Sequence, residues 1–81
     1  MRIRDWDRIT VCRAGSAWGV WRGLDWLRNY TTHEEAINFA TEEARFEHFW
    51  QDWYSKVPNA TRVLARNYWE NHMTKGERNA W

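Results

Sequence analysis

The chain lacks most of the features that stabilise or identify a small protein. Its 81 residues include a single cysteine, so no disulfide can form within it. Its four glycines are dispersed, which excludes a glycine-rich phosphate loop. The candidate metal ligands lack the paired spacing of a zinc site; they are Cys12, His33, His48 and His72. We therefore expect no cofactor and no bound metal.

Long apolar runs are missing as well. The N-terminal stretch MRIRDWDRIT is charged throughout and has no apolar segment of the kind that directs secretion. The longest uncharged apolar run, AWGVW at residues 17–21, is far shorter than the roughly 18 residues of a membrane-spanning helix. The sequence thus favours a cytoplasmic protein without a membrane partner, and its single thiol suits a reducing compartment.

The net charge of +1 conceals an uneven distribution of charge. Residues 1–31 carry six arginines against three aspartates, and residues 56–81 carry five basic against two acidic side chains. The segment between them, residues 32–55, has one arginine against six acidic side chains. Such asymmetry either steers a charged partner toward the protein or joins the segments to one another through internal ion pairs.

What the chain has in excess is tryptophan, with eight such residues. Trp and Tyr side chains bury roughly 150–250 Å² each. A chain of this size hides only about 60–65% of its unfolded surface. The rings therefore form either a closed aromatic core or a surface that contacts another molecule, and their number favours the surface.

Three short segments alternate apolar and polar residues with the period of two that is typical of strands. They cover about residues 8–13, 17–22 and 25–30 and are separated by turns that contain Gly15 and Gly23. Connections this short predict a three-stranded antiparallel meander.

The alternation also assigns the rings of these strands to faces of the sheet. Trp18 shares a face with Val20, which we expect a helix to cover, and Trp21 lies on the opposite face. In the third strand, strict alternation places Trp26 on the same face as Arg28. The preceding turn leaves the register of this strand open, so Trp26 belongs to either the core or the surface.

The period changes to that of a helix over about residues 33–56. The pattern Thr32-x-x-Glu35 is a capping box, which marks the start of a helix. The first half of this helix carries small side chains and the second half, FEHFWQDWY, is aromatic, so its apolar residues span more than half of the circumference. Pro58 is disfavoured inside a helix, which places the end near residue 56.

A second helix is predicted over about residues 59–73, with Asn59 as its N-terminal cap. The helical pattern ends at Gly76, and we expect residues 74–81 to be frayed. Together these elements predict one α+β domain over residues 1–81. It consists of the antiparallel meander, the long helix and the second C-terminal helix.

Residues 9–45, which include ITVCRAGSAWGVWRG and YTTHEEAINFATEEAR, resemble a family of small, uncharacterised ββ(β)α domains from bacteria and phages. In that family a strand with a W-x-V pattern precedes a helix with E-A-I-x-x-A shortly after a threonine. The matching residues are Trp18, Val20, Thr32, Glu35, Ala36, Ile37 and Ala40. The resemblance implies a ββ(β)α core and no particular activity. The aromatic extension after Arg45 departs from it.

The reactive side chains form no recognisable catalytic pattern. The sequence places no base beside Cys12, which a thiol nucleophile needs. The Glu47–His48 pair lacks the repeated Glu-x-x-His of a di-iron site. A buried strand cysteine is commoner than a nucleophilic one, and a solvated helix face explains the Glu47–His48 pair better than a metal site does. We therefore expect a protein that is not an enzyme.

The composition favours a protein-binding module, because Trp, Tyr and Arg are enriched among the residues that dominate binding at interfaces. The predicted contact residues are Trp21, Trp26, Trp50, Trp53, Arg62, Arg66 and Trp69. The expected partner is a host protein, a second copy of the chain in a homodimer, or both. The small size suits a phage-encoded inhibitor or regulator of the anti-CRISPR type.

Binding of single-stranded nucleic acid is the alternative hypothesis. The arginines of residues 1–31 are interleaved with Trp6, Trp21 and Trp26, and basic groups with exposed rings on a sheet can hold single strands by stacking. Against this, the chain is nearly neutral, and its acidic middle segment would repel phosphate.

Overall fold

The computed structural model describes residues 8–81, which form three strands followed by three helices. The strands are β1 (Ile9–Ala14), β2 (Ala17–Arg22) and β3 (Asp25–Tyr30), and the helices are α1 (His33–Lys56), α2 (Arg62–Asn71) and α3 (Lys75–Asn79). The sheet is antiparallel with the strand order β1-β2-β3. This architecture confirms the α+β class, the meander and the long helix with a shorter helix after it. Within the described residues, every helix is too short or too polar to cross a membrane.

The two hairpin turns depend on glycine. Gly15 and Gly23 have φ angles of 62° and 58°, in the left-handed region that L side chains rarely adopt. Each is the first residue of a two-residue loop between paired strands. Glycine in that position is typical of the tight turns whose twist matches a β-hairpin.

A β-bulge in β3 determines which face of the sheet Trp26 occupies. The register pairs Val20 with Arg28 but Trp21 with Trp26, so Leu27 is an extra residue on β3. Directly paired residues point to the same face of a sheet. Trp26 therefore lies with Trp21, and strict alternation, which joins Trp26 to Arg28, is wrong at this point.

The described residues divide into two compact units, residues 8–44 and residues 45–81. We call them the sheet unit and the helical unit and describe each by itself. In the sheet unit, the first part of α1 covers one face of the sheet. The Trp18 ring lies 4.5 Å from that of His33, and the Tyr30 ring lies 5.6 Å from that of Phe39. Val20 is fully buried on this face.

The start of α1 follows the sequence prediction. The Glu35 backbone N–H donates to Thr32 Oγ1 at 3.2 Å, and Thr32 Oγ1 donates to Glu35 Oε1 at 2.8 Å. Ala36 is fully buried, as expected of the small-residue stripe. Ile37 is 41% exposed, because the buried side of the helix runs through Ala36 and the half-buried Phe39.

The core of the helical unit is aromatic. Its buried members are Phe46, Phe49, Trp50, Ala65 and Trp69. The Trp69 ring stands edge-on to Phe46 at 5.8 Å and tilts over Phe49 at 5.2 Å. Aromatic pairs in such geometries are worth about 0.5–1.5 kcal/mol beyond their buried area. These contacts offset the thin stability margin of so small a unit.

The helix α2 begins later than its sequence pattern predicts. Thr61, not Asn59, is the N-cap, and its side chain accepts a hydrogen bond from the Leu64 N–H at 3.2 Å. Asn59 has a φ of 58°, a left-handed conformation that asparagine tolerates better than most residues. It therefore belongs to the turn after Pro58 instead of capping the helix.

Residues 74–81 are not a frayed tail, since they contain α3 (Lys75–Asn79). Thr74 and Glu77 form a capping box: the Thr74 N–H donates to Glu77 Oε1 at 2.9 Å, and the Glu77 N–H donates to Thr74 Oγ1 at 3.2 Å. Arg78 Nη1 donates to the backbone oxygens of Trp69 and Met73 at 3.2 Å each. These bonds hold α3 in place, although Gly76 in the sequence predicted that helical structure ends there.

The Thr74→Ala variant tests this capping box. Hydrogen bonds from Thr74 hold the pKa of Glu77 below its ordinary value, the backbone N–H being the larger cause. A depressed folded pKa stabilises α3 above the unfolded pKa, and this contribution is lost as pH falls through the folded pKa. Thr74→Ala removes the hydroxyl and keeps the backbone N–H, so we expect it to raise the pKa of Glu77 only part of the way to its ordinary value, measured by NMR titration of carboxyl carbons.

The matched control is Thr41→Ala, because the Thr41 hydroxyl donates to the Ile37 backbone oxygen within α1. This variant should leave the titration of Glu77 unchanged. Equal Glu77 titration curves in the wild type and Thr74→Ala would contradict the assigned role of the capping box.

Candidate protein-binding surfaces

The face of the sheet opposite Val20 carries two tryptophans side by side. Strand register places the following residues on it, and we call them the sheet platform: Thr10, Cys12, Gly19, Trp21, Trp26 and Asn29. Trp26 is 55% exposed, and Trp21 is half-buried. Cys12 is exposed as well, which corrects the interpretation of this residue as a buried strand cysteine.

At the centre of the sheet platform, a hydrogen bond fixes Trp26, and a glycine leaves room for the groups that form it. Trp26 Nε1 donates to Asn29 Oδ1 at 2.8 Å. Gly19 lies beneath, and a Cβ there would stand 3.0 Å from Asn29 Oδ1 and 3.2 Å from Trp21 Nε1. Only glycine therefore leaves both polar groups where they are. Asn29 was not among the predicted contact residues, and its bond to Trp26 requires the bulge at Leu27.

None of the six residues of the sheet platform is charged, and the arginines within the strands lie on the other face. Arg8, which is exposed just before β1, alternates with Thr10 and so borders the sheet platform. Arg13 stacks on the Trp18 ring at 5.4 Å from its centroid, and Arg28 stacks on Tyr30 at 5.3 Å. Arg22 Nη2 lies 3.9 Å from Asp25 Oδ2, with which it forms an ion pair. Arginine and tryptophan alternate along the sequence, but the strand register places Trp21 and Trp26 on the opposite face of the sheet from these arginines.

In the helical unit, two of the predicted contact residues belong to the core. Trp50 is 8% exposed and Trp69 is 3% exposed, so neither ring is available as a surface contact. Trp53 is half-buried at the edge of this core. The helical periodicity indicated an apolar stripe but not what covers it, and here α2 covers the stripe with Ala65 and Trp69.

The two predicted contact arginines are engaged inside the helical unit. Arg62 forms an ion pair with Glu47, whose side chain is fully buried, and its guanidinium lies 5.4 Å from the centroid of the Trp50 ring. The Arg66 guanidinium lies 3.8 Å from the centroid of Phe46. Cation–π stacking of this kind is worth about 0.5–2 kcal/mol. The structure thus assigns both arginines to internal packing.

A second exposed aromatic surface surrounds Phe49, which is 5% exposed. The rings of Trp53, Tyr68 and Trp81 lie 5.9, 6.0 and 5.5 Å from that of Phe49, and we call these four residues the helical aromatic patch. Tyr68 is 43% exposed and Trp81 is 41% exposed. Sequence reasoning missed both, although Tyr68 follows the exposed Leu64 by one helical turn.

The candidate metal ligands do not come together in the described part of the chain. No group of three or more His, Cys, Asp or Glu side chains in residues 8–81 is placed to hold a metal ion. His48 lies on an exposed position of α1. Trp6, one of the rings behind the nucleic-acid alternative, lies outside the described residues.

No protein-family model, curated protein or solved structure matches the chain. The resemblance of residues 9–45 to small ββ(β)α domains therefore stays a prediction from the residues quoted for it.

The Gly19→Ala variant tests the geometry of the sheet platform. The added Cβ requires Asn29 Oδ1 and Trp21 Nε1 to shift by a few tenths of an ångström, which weakens the bond between Trp26 Nε1 and Asn29 Oδ1. We expect a loss of about 1 kcal/mol in the free energy of unfolding and a displaced Trp26 indole N–H resonance. Gly76→Ala is the control, because a Cβ there makes only an ordinary contact of 3.9 Å. An unmoved Trp26 resonance in Gly19→Ala would contradict this geometry.

The Arg62→Ala variant tests the buried ion pair of the helical unit. It removes the guanidinium that faces the buried Glu47 carboxylate. Removing one partner of a buried pair costs about 3–5 kcal/mol, and we expect about 3 because the Arg62 side chain is 34% exposed. Denaturant unfolding measures the difference.

The control for this variant is Lys56→Ala, which removes the exposed pair between Lys56 Nζ and Asp52 Oδ1 at 3.1 Å. We expect it to cost less than about 1 kcal/mol. Equal losses in the free energy of unfolding of the two variants would show that the buried Glu47–Arg62 pair stabilises the protein no more than an exposed pair does.

Proposed function

We propose that the protein is a non-enzymatic protein-binding module that acts through the sheet platform. The observation that carries this proposal is a set of six uncharged residues on one sheet face, where Trp26 is 55% exposed beside Trp21. The centre of a protein interface is depleted of charge and enriched in aromatic residues. Tryptophan is also the residue type most often found among the few that dominate binding energy.

Polar groups on the sheet platform add directional contacts. The Asn29 carbonyl oxygen is oriented by Trp26, which leaves the amide nitrogen to donate to a partner. Thr10 is exposed and offers a hydroxyl that both donates and accepts. Large rigid rings next to small hydrogen-bonding side chains are the composition of antibody binding loops.

The sheet platform is a better candidate than the helical aromatic patch. In the patch, Trp53 and Tyr68 lie 5.9 Å apart and are stacked on each other as well as on Phe49. Trp26 is 55% exposed, against 43% for Tyr68 and 41% for Trp81. Of the seven predicted contact residues, the proposal therefore depends on Trp21 and Trp26.

The distribution of arginine favours a protein partner over single-stranded nucleic acid. Nucleic-acid binding needs cations that reach phosphates beside the stacking rings. In the strands, Arg13 and Arg28 stack on the opposite face from Trp21 and Trp26. A base stacked on Trp26 would find no strand arginine next to its phosphate.

The proposed partner is a host protein. We infer that the protein is an inhibitor or regulator of a host protein in the cytoplasm, of the anti-CRISPR type and encoded by a phage. Its 81 residues and a contact face with neutral groups support a module that acts by occupying a surface. The genes that neighbour its own provide a direct check of this proposal.

Affinity capture from host lysate tests the binding function. We expect wild type to retain a specific protein and Trp26→Ser to lose it, with a loss of at least about 2 kcal/mol, or about 30-fold, for a dominant contact. The control is Tyr54→Ser, which removes an aromatic side chain that is 63% exposed in the helical unit. Equal capture by Trp26→Ser and wild type would exclude the sheet platform.

Titration with single-stranded oligonucleotides tests the alternative. We expect no binding at low micromolar concentration. Binding that weakens steeply with salt and that is lost in Trp26→Ser would instead assign the sheet platform to nucleic acid.

A further inference from the structure

We propose that Leu24, at the tip of the hairpin between β2 and β3, is the residue that enters an apolar pocket of the partner protein. Because Leu24 lies two residues before Trp26, this role rests on the binding function proposed for the sheet platform. It adds the shape and the chemistry of the partner surface, which is concave, apolar at its centre and basic at its edge.

The exposure of Leu24 determines the shape of the surface that can cover it. Leu24 is 94% exposed, more than any other large apolar residue within residues 8–81. Solvent therefore reaches its side chain from nearly all directions, and a flat surface would cover only one of them. A side chain that protrudes in this way is buried only by a surface that surrounds it. The partner must therefore offer a pocket, and an apolar lining is the one that gains free energy by covering leucine.

The turn that contains Leu24 does not itself require leucine. The sheet has two tight turns, in which Gly15 precedes Ser16 and Gly23 precedes Leu24, with glycine φ angles of 62° and 58°. Small polar residues such as serine suit turns because their side chains bond to nearby backbone groups. Leucine has no group that forms such a bond, and at 94% exposure its carbons gain little from the fold. A contact outside the chain accounts for leucine where the turn does not.

The backbone of the hairpin tip is fixed by contacts on both sides of the turn. The Gly23 N–H donates to the Arg8 backbone oxygen at 2.9 Å, and Arg22 pairs with Asp25 in the strand register. A group that is fixed before binding loses little conformational entropy on binding, so more of the free energy gained by burying it contributes to affinity. Leu24 is therefore presented to a partner on a backbone of one conformation.

The residues that follow Leu24 determine the chemistry at the edge of the pocket. The Asp25 side chain is 77% exposed, although its carboxylate lies 3.9 Å from Arg22. Residues that dominate binding energy are typically surrounded by polar groups that exclude water. Complementary charge then requires a lysine or an arginine of the partner opposite Asp25. The same carboxylate disfavours a membrane surface of anionic lipid, which attracts basic groups.

The Leu24→Ala variant tests this role without disturbing the fold, because the carbons that it removes are almost entirely exposed. We expect an unchanged free energy of unfolding. The affinity for the host protein that wild type captures, measured by calorimetry, should fall by about 10–30-fold. Leu24→Met keeps the size and the apolar character of the side chain and should restore binding. Val63→Ala is the control, because Val63 is 70% exposed in the helical unit.

The Asp25→Lys variant tests the basic edge of the pocket. Reversing an exposed charge at the edge of an interface chiefly changes the rate of association, so we expect this rate to fall by about tenfold at low salt. The difference from wild type should diminish at high salt, because ions screen exposed charges. A salt-independent rate equal to that of wild type would contradict a basic side chain opposite Asp25.

A photoreactive leucine analogue at position 24 identifies the pocket directly. It should crosslink to apolar residues of the captured protein, which mass spectrometry locates. If Leu24→Ala binds as tightly as wild type to a partner that Trp26→Ser has lost, the role of Leu24 is overturned and the proposed function stands. If both variants bind as wild type does, or if wild type captures no protein, both are overturned.

The same variant distinguishes a protein pocket from a lipid surface. Wild type should not sediment with vesicles of phosphatidylcholine and phosphatidylserine. Sedimentation of wild type with these vesicles that is lost in Leu24→Ala would assign the hairpin tip to a membrane and would overturn the protein pocket.

Discussion

The pairing of Trp21 with Trp26 depends on one extra residue in β3. Without Leu27 as a bulge, the register would continue from the pair Val20–Arg28, and Trp26 would lie on the face that α1 covers. The bulge instead places both rings on the open face, where Asn29 holds Trp26 by a hydrogen bond of 2.8 Å. Bulges often re-aim a side chain beside a functional surface, and this one composes the sheet platform.

The helical unit uses its aromatic residues in a different way. Trp50 and Trp69 are buried, and the guanidiniums of Arg62 and Arg66 stack on core rings instead of facing a partner. Burial of the Glu47 carboxylate requires a cation beside it, and Arg62 provides that cation. The abundance of Trp and Arg thus has two origins, a core that arginine completes and the pair of tryptophans on the sheet platform.

The sequence predicts the fold because its local signals agree with one another. Alternation and two glycine turns specify the meander, and the capping box at Thr32 specifies the start of α1. The same pattern at Thr74 specifies α3, but Gly76 inside it hid the signal. Trp26 was not predictable, since a bulge depends on the register of two strands. Nor was the burial of Trp69, since periodicity shows an apolar stripe without showing its cover.

Arg13 and Arg28, two of the six arginines in residues 1–31, contact rings of the sheet unit. The basic N-terminal segment suggested a surface for phosphate, yet the guanidiniums of Arg13 and Arg28 stack on rings of their own sheet face. Stacking holds the guanidiniums of Arg13 and Arg28 against rings on their own face of the sheet, away from the six uncharged residues of the sheet platform. Trp26, which is 55% exposed, therefore lies on the opposite face of the sheet from these two guanidiniums. The binding face that we propose thus depends on the rings that hold these arginines on the other side of the sheet.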